Sequence, residues 1–234
     1  MSKILMNWSS GKDSAYALYK LLQNPAYEVP YLLTSVNQHY ERVSMHGVRT
    51  VLLEQQAQRL GIPLLKLELP ESPSMEEYNA LMTVQMSFIQ QQGIELAAFG
   101  DIFLEDLRQY REAQLAKIQM QGVFPLWKIP SQQLIEEILA LGFRTMVVCV
   151  HAKYLGAEFV GREIDADFLA DLPKNVDVCG ENGEFHTFVF DAPIFSAPIP
   201  FTLGETVYRE YPAPNAVAGE RNGFYYCDLL PVTE

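Results

Sequence analysis

The first half of the chain alternates short apolar runs with longer stretches of helical spacing. Residues 3–8, 30–36, 64–69 and 95–99 are compact, largely apolar runs, and each predicts a strand. Between them, residues 13–23, 48–60, 74–92 and 105–121 space their apolar positions three and four apart, which predicts helices. Gly61-Ile62-Pro63 and Gln92-Gly93-Ile94 read as helix stops that lead into strands. Repeated strand–helix units imply an α/β fold, a parallel sheet with helices on both faces. Pro125-Leu126-Trp127, followed by Ile129-Pro130, marks a change of domain. Residues 1–124 are therefore expected to form one unit, and residues 125–234 a smaller α+β unit. In the latter, residues 131–141 read as a helix with Ser131 as N-cap, residues 145–150 as a strand, and residues near 165–171 as a helix. Residues 185–190 and 199–207 read as β segments. Residues 215–234 show no clear period and are expected to be an edge hairpin or a loosely held tail.

Ser9-Ser10-Gly11-Lys12-Asp13-Ser14 closes the first apolar run and opens the first helix. A strand that ends in such a turn is suited to phosphate. Unpaired N–H groups and the positive end of the helix dipole meet there, Gly11 lets the backbone approach closely, and Lys12 supplies a full charge. The Walker pattern fails at Met6 and Asp13, and the dinucleotide fingerprint fails because Gly11 is its only glycine. A carboxylate at Asp13, inside an anion site, implies Mg²⁺ near the phosphates or an N-cap role without metal. In a parallel sheet, ligands sit beyond the carboxyl ends of the strands. The phosphate turn, the segment holding Ser35, and Gly100-Asp101-Ile102 all fall on that edge.

Gly180-Glu181-Asn182-Gly183-Glu184-Phe185-His186-Thr187 gathers two carboxylates, an amide and an imidazole around two glycines. Asn182-Gly183 is a strong turn signal, so a solvated hairpin is the plain explanation; the density of ionisable groups favours a site. Glu105, Arg108 and Glu112 stand at helical spacing and read as surface ion pairs. That helix nevertheless starts above the nucleotide edge, where Arg108 or Arg111 would reach a phosphate or a carboxylate. Asp101, at a strand end, suits a Mg²⁺ or substrate contact.

Composition narrows the partners. Seventeen Lys and Arg against 29 Asp and Glu give a net charge of −12, without a basic run, which disfavours nucleic acid. No apolar run is long enough to span a bilayer, and Met1-Ser2-Lys3 leads directly into a strand, which predicts no signal peptide. Cys149, Cys179 and Cys227 lack any Cys-x-x-Cys spacing and fit a reducing cytoplasm.

The Ser9–Ser14 turn resembles the SGGKDS loop of the PP-loop ATP pyrophosphatases, which cleave ATP between the α and β phosphates. With His46-Gly47-Val48-Arg49, Gly100-Asp101-Ile102 and the Cys179–Thr187 segment, the chain resembles the diphthine–ammonia ligase family as far as about Phe195. Ser10 departs from the family's glycine, a strained choice if φ there is positive. The resemblance implies a Rossmann-like nucleotide fold using ATP and Mg²⁺. The reaction it implies adenylates a carboxylate, amidates it with ammonia, and releases AMP and pyrophosphate. It places Ser9, Ser10, Gly11, Lys12, Asp13, Ser14, Ser35, His46 and Gly47 toward the nucleotide, with Asp13 toward the metal. Lys12, Asp101, Glu181 and Glu184 are the implied catalytic groups. Gly100, Arg108, Arg111, Asn182 and His186 are the implied substrate contacts. The acceptor is a carboxylate on a protein side chain or on a metabolite. A tRNA-modifying relative and a non-catalytic ATP sensor are the other readings, the first disfavoured by charge.

Overall fold

Three consecutive residues of the first strand, β1 (Ser2–Asn7), have no exposed surface: Ile4, Leu5 and Met6. A strand sends alternate side chains to opposite faces, so full burial of a run requires layers on both sides. The computed structural model, which describes residues 1–43, 46–71, 74–212 and 221–232, has those layers. Ile4 and Met6 join a core with residues of α1 (Lys12–Leu22) and α2 (Thr50–Leu60), whereas Leu5 joins a second core with residues of α3 (Met75–Gln91) and α4 (Glu105–Lys117).

β1 lies between β2 (Tyr27–Asn37) and β5 (Leu96–Ala98), parallel to both. β4 (Leu64–Leu69) continues the parallel sheet beyond β2, and β6 (Gln121–Val123) continues it beyond β5. The chain moves outward in one direction from β1 and then returns to fill the other side. The reversal falls between β1 and β5, the place where such sheets open a crevice for ligands. The sheet is Rossmann-like, as expected. Two short pieces lay outside the expectation: β3 (Arg42–Val43), antiparallel to the end of β2, and β6, whose first residue, Gln121, the sequence assigned to the end of a helix. Both are too short to show a period.

The second sheet is antiparallel, in the order β8 (Phe185–Asp191), β7 (Arg144–His151), β10 (Arg221–Pro231), β9 (Phe201–Pro212). The segment expected to be a hairpin or tail is therefore largely an inner strand. Residues 215–220, 233 and 234 of it lie outside the described residues. Strand β10 pairs with β9 along nearly its whole length and with β7 through Phe224–Tyr226. Its lack of pattern has a cause: Cys227 and Leu229 face the core, while Phe224 and Tyr226 line a cavity on the other face, so both faces carry apolar side chains. Helices α5 (Ser131–Ala140) and α6 (Ala166–Asp171) complete this half. Ser131 is not the N-cap: Pro130 holds that place, and Ser131 is the first helical residue.

The two halves share a core. Ile4 and Met6 of β1 belong to the same apolar cluster as Val147 of β7 and Phe188 of β8. Across the seam, Gln56 of α2 has no exposed surface. It accepts from the Trp8 indole N–H (2.9 Å) and donates to the carbonyls of Ser10 (3.0 Å) and Val189 (2.7 Å). Replacing it leaves the buried Trp8 indole N–H without its acceptor and takes a donor from both carbonyls, although the Val189 N–H still reaches that of Ser10. Gln56→Ala is expected to lower the unfolding free energy in urea by about 3 kcal/mol. A change within ~0.5 kcal/mol, the range of ordinary surface substitutions, would contradict this. Among the described residues, no helix is long and apolar enough to cross a membrane.

Candidate active site

The phosphate turn is built around Ser10, which adopts φ +72°, the left-handed region that serine occupies at a cost. Its carbonyl is held from two sides, by Gln56 and by the Val189 N–H (3.0 Å), which keeps the strained residue in place. Gly11 is the N-cap of α1, so Asp13 lies inside the first turn and does not cap it. The hydroxyls brace the turn internally: Ser9 and Ser14 are 3.0 Å apart, and Ser14 donates to the Gly11 carbonyl. Gly100, after β5, lies so close that a Cβ there would stand 2.8 Å from the backbone of Asp13 and Ser14. Glycine is required at that contact.

Lys12, although a charged residue in a polar turn, is buried. Its Nζ donates to both Asp13 oxygens (2.9 and 3.0 Å) and to the Cys179 carbonyl. Burial opposes the charge, but the Asp13 carboxylate, with Cys179 and Glu181 nearby, holds the lysine pKa above its ordinary value. Burial likewise raises Asp13 despite its partner. The Lys12 N–H donates to Thr187 Oγ1 of β8 (3.1 Å), so the second half of the chain covers the turn.

A cavity of about 750 Å³ opens from this turn. Ser9, Lys12, Asp13, Ser14 and Glu181 line its polar end; Leu33, Tyr78, Met82, Met86 and Phe99 line the apolar end between α3 and α4. That division suits a nucleoside body with a phosphate tail. Ser35, His46, Gly100, Asp101, Arg111 and His186 also line it. Gly47 instead lines a second cavity, with φ +70° and its bare Cα against the Tyr226 ring. Arg108 lines neither cavity: it pairs with Glu112 (2.8 Å) and stacks between Phe124 and Trp127. Asn182 is exposed and donates to Glu184 (2.9 Å).

The two glutamates of the Gly180–Thr187 segment differ. Glu184 is buried, and its carboxylate accepts from the Asp177 N–H, the Asn182 N–H and the Asn182 amide, all within its own loop. Glu181 crosses the cavity mouth, where one oxygen accepts from the Ile102 N–H (2.7 Å). Burial raises its pKa to about 7, against the lowering effect of that bond. Asp101 pairs with Arg111 (2.7 Å), whose guanidinium lies over Phe99.

His46 and His186 form a tilted ring pair, centroids 4.8 Å apart. His46 donates from Nδ1 to the Thr187 carbonyl (3.2 Å), the only role a carbonyl partner allows. Burial, aided by the Lys12 charge, lowers its pKa to about 4 and that of His186 to about 3, so both are neutral at pH 7. Arg49 pins the segment by gripping Asp228 of β10 with two nitrogens (2.6 and 3.1 Å), joined by Arg42 (2.9 Å).

Residues 1–120 match the diphthamide synthase N-terminal domain, and residues 130–211 match the diphthamide synthase C-terminal domain. The chain belongs to the diphthamide synthase family. Among curated relatives, a diphthine–ammonia ligase of Danio rerio is 31% identical over 113 residues, 44% of this chain and 43% of that protein. Those of Mus musculus and Homo sapiens are 30% identical over 133 residues and 27% over 154. These alignments cover 53% and 63% of this chain and 49% and 56% of the relatives. The chain thus spans about half the length of the curated relatives it matches.

Against this family background, the sequence reading missed Thr187 as a cover for the turn and Gln56 as its brace. A buried glutamine in an amphipathic helix carries no motif; only its zero exposure reveals it. The apolar end of the cavity was also missed, because Tyr78, Met82 and Met86 read as ordinary helix core.

Two measurements check the geometry. The Ser10 hydroxyl is buried with no hydrogen-bond partner among the described residues, and its backbone is left-handed. Ser10→Gly should therefore raise stability by about 1 kcal/mol, and a loss would count against the assigned conformation. For the histidines, folded pKa values of about 4 and 3 lie below the unfolded value near ~6.5. Within that window the unfolded chain binds more protons, so stability rises with pH and is lost as pH falls from ~6.5. In a His46→Gln, His186→Gln double variant, the difference in unfolding free energy between pH 7 and pH 5 should shrink. An unchanged difference would refute the buried, neutral pair.

Proposed function

We propose that the chain is an ATP-dependent ligase that adenylates a carboxylate and amidates it with ammonia, releasing AMP and pyrophosphate. One observation carries the reading: a buried, charged Lys12 in a left-handed turn at a helix start, facing Glu181 across a cavity whose other end is apolar. The family relatives, named as diphthine–ammonia ligases, support the reaction class.

A carboxylate resists direct amidation because its charge is delocalised and its oxygen is a poor leaving group. Joining it to AMP supplies a stable leaving group. In this scheme Lys12 neutralises charge that builds on the departing pyrophosphate, and the α1 N-terminus adds its dipole. The apolar walls near Met82 and Phe99 hold the base, and Arg111, fixed by Asp101 and Phe99, orients the polar part. Ammonia then attacks the acyl carbon, and Glu181 takes the proton lost from nitrogen as AMP leaves. A base poised near neutrality suits that transfer. Glu184 and Asn182 position Glu181 by closing the loop.

Among the described residues no set of three ligating side chains stands ready to enclose a metal, which fits an ion held mainly by phosphate oxygens. Asp13 is the carboxylate that would hold Mg²⁺, and the ion would screen phosphate charge. The diphthine of the relatives is the acceptor to try first. The ATP-sensor reading shares the same turn and differs only in turnover.

Incubation with ATP, Mg²⁺, ammonium and a diphthine-bearing protein, or small carboxylates, should give acceptor-dependent AMP and pyrophosphate. ADP would eliminate the scheme, and tight ATP retention without cleavage would favour the sensor. Because Glu181 must be ionised to accept a proton, turnover should fall as pH drops below about 7. Measured at a constant concentration of unprotonated ammonia, Glu181→Gln should cost about 10²-fold and abolish that acidic limb. An intact limb in the variant would assign the base elsewhere.

A further inference from the structure

A second cavity, of about 990 Å³, lies between the β3 region and the face of β9 and β10. It meets the first at one residue: His186 lines both. This junction is at the phosphate end, since His46 and Thr187, which flank His186, stand 3.1 Å from the place a Gly11 Cβ would occupy. Apart from its ring contact with His46, the His186 imidazole has no hydrogen-bond partner among the described residues. A largely buried imidazole without a protein partner, facing two cavities, is equipped to meet a ligand.

We infer that the second cavity is the acceptor site and that His186 guides the acceptor's carboxylate through the junction to the nucleotide. The inference rests on the ligase reading and assigns that reaction a second entrance. The chemistry of the walls sets the acceptor class. Tyr40, Tyr211, Phe224 and Tyr226 supply aromatic faces. Within the lining, Asp228 is neutralised by Arg42 and Arg49, and Glu71 is engaged by the Tyr40 hydroxyl. Glu210 pairs with Arg221, and Glu205 and Arg209 form no ion pair among the described residues, so the wall presents separate charges of both signs, Arg209 against Glu205 and Glu71. Such a wall suits a compact zwitterion, a carboxylate on a body that also bears a positive charge, over a simple anion.

At the junction, His186 donates one ring N–H to a carboxylate oxygen and keeps its proton. The other carboxylate oxygen attacks the α phosphorus. An O–P bond forms as the bond to pyrophosphate breaks, and the electron pair leaves with pyrophosphate. A neutral donor orients the carboxylate without forming the tight ion pair that would blunt its attack.

The test uses the full chain loaded with a non-hydrolysable ATP analogue. Two probes separate the sources of the same chemistry: a diphthine-bearing protein and the free amino acid L-tyrosine. Val207 of β9 lines the second cavity and is remote from the phosphate turn, so Val207→Trp fills the cavity alone. By calorimetry, at least one probe should bind the native chain, and Val207→Trp should weaken that binding at least tenfold while ATP affinity stays within twofold. Equal binding in both proteins, or no binding of either probe, overturns the inference. Because this titration needs no turnover, a failed ligase assay and a failed acceptor site give different results. Where turnover is found, His186→Ala should raise the acceptor KM or lower kcat about 100-fold, and His186→Gln, which retains an N–H donor, should recover most of the loss. Equal loss in both variants would leave His186 a packing residue and refute its role.

Discussion

The structure depends on a strand laid against a turn. β8 runs beside the phosphate turn, its Val189 N–H on the Ser10 carbonyl and its Thr187 hydroxyl on the Lys12 N–H. A turn holding serine at φ +72° would relax on its own, since left-handed backbone is tolerated only where surroundings over-determine it. Here the surroundings come from the far half of the sequence. The Gln56 side chain ties the same carbonyl to Val189, so helix, turn and strand form one hydrogen-bonded unit. The conformation of the turn therefore draws on both halves of the chain.

The same seam sets the electrostatics. Burying an ammonium group is unfavourable unless it is paired, and Lys12 meets Asp13 on one side and the Cys179 carbonyl on the other. Its charge, sealed from water, acts at longer range than an exposed one. Together with burial it keeps His46 and His186 neutral, while burial and the Asp13 charge push Glu181 toward neutrality. One buried cation thus sits among a carboxylate poised near pH 7 and two imidazoles that stay uncharged.

How much of this was legible in the sequence follows from the range of the interactions. The parallel sheet was readable because β1, β2, β4 and β5 are apolar runs set between periodic helices. The turn was readable because its chemistry is contiguous. β10 was not, because a strand with apolar groups on both faces shows no alternation; its assignment depends on pairing with β7 and β9. Lys12 looked exposed because residue type and local polarity predict exposure, whereas its burial comes from Cys179, far along the chain. Arg49 was visible as part of a motif, yet its role depends on Asp228, which lies in the segment that carried no pattern. Local chemistry could be read; the partners that complete it could not.

Two cavities meeting at one imidazole have a consequence for the order of events. An acyl adenylate is lost to water if formed in an open cleft, and here the phosphate end is bounded by the turn below, by Thr187 and His46 above, and by Glu181 across the mouth. The nucleotide can fill the first cavity without displacing anything in the second. Under the proposed scheme, an acceptor arriving through the second would reach the phosphate end at His186, the residue that lines both cavities. On this geometry, ATP entering first leaves the acceptor's path clear, whereas an acceptor seated at the junction would stand beside the phosphate end before the triphosphate was in place. Under the proposed scheme, this shape favours nucleotide binding before acceptor binding.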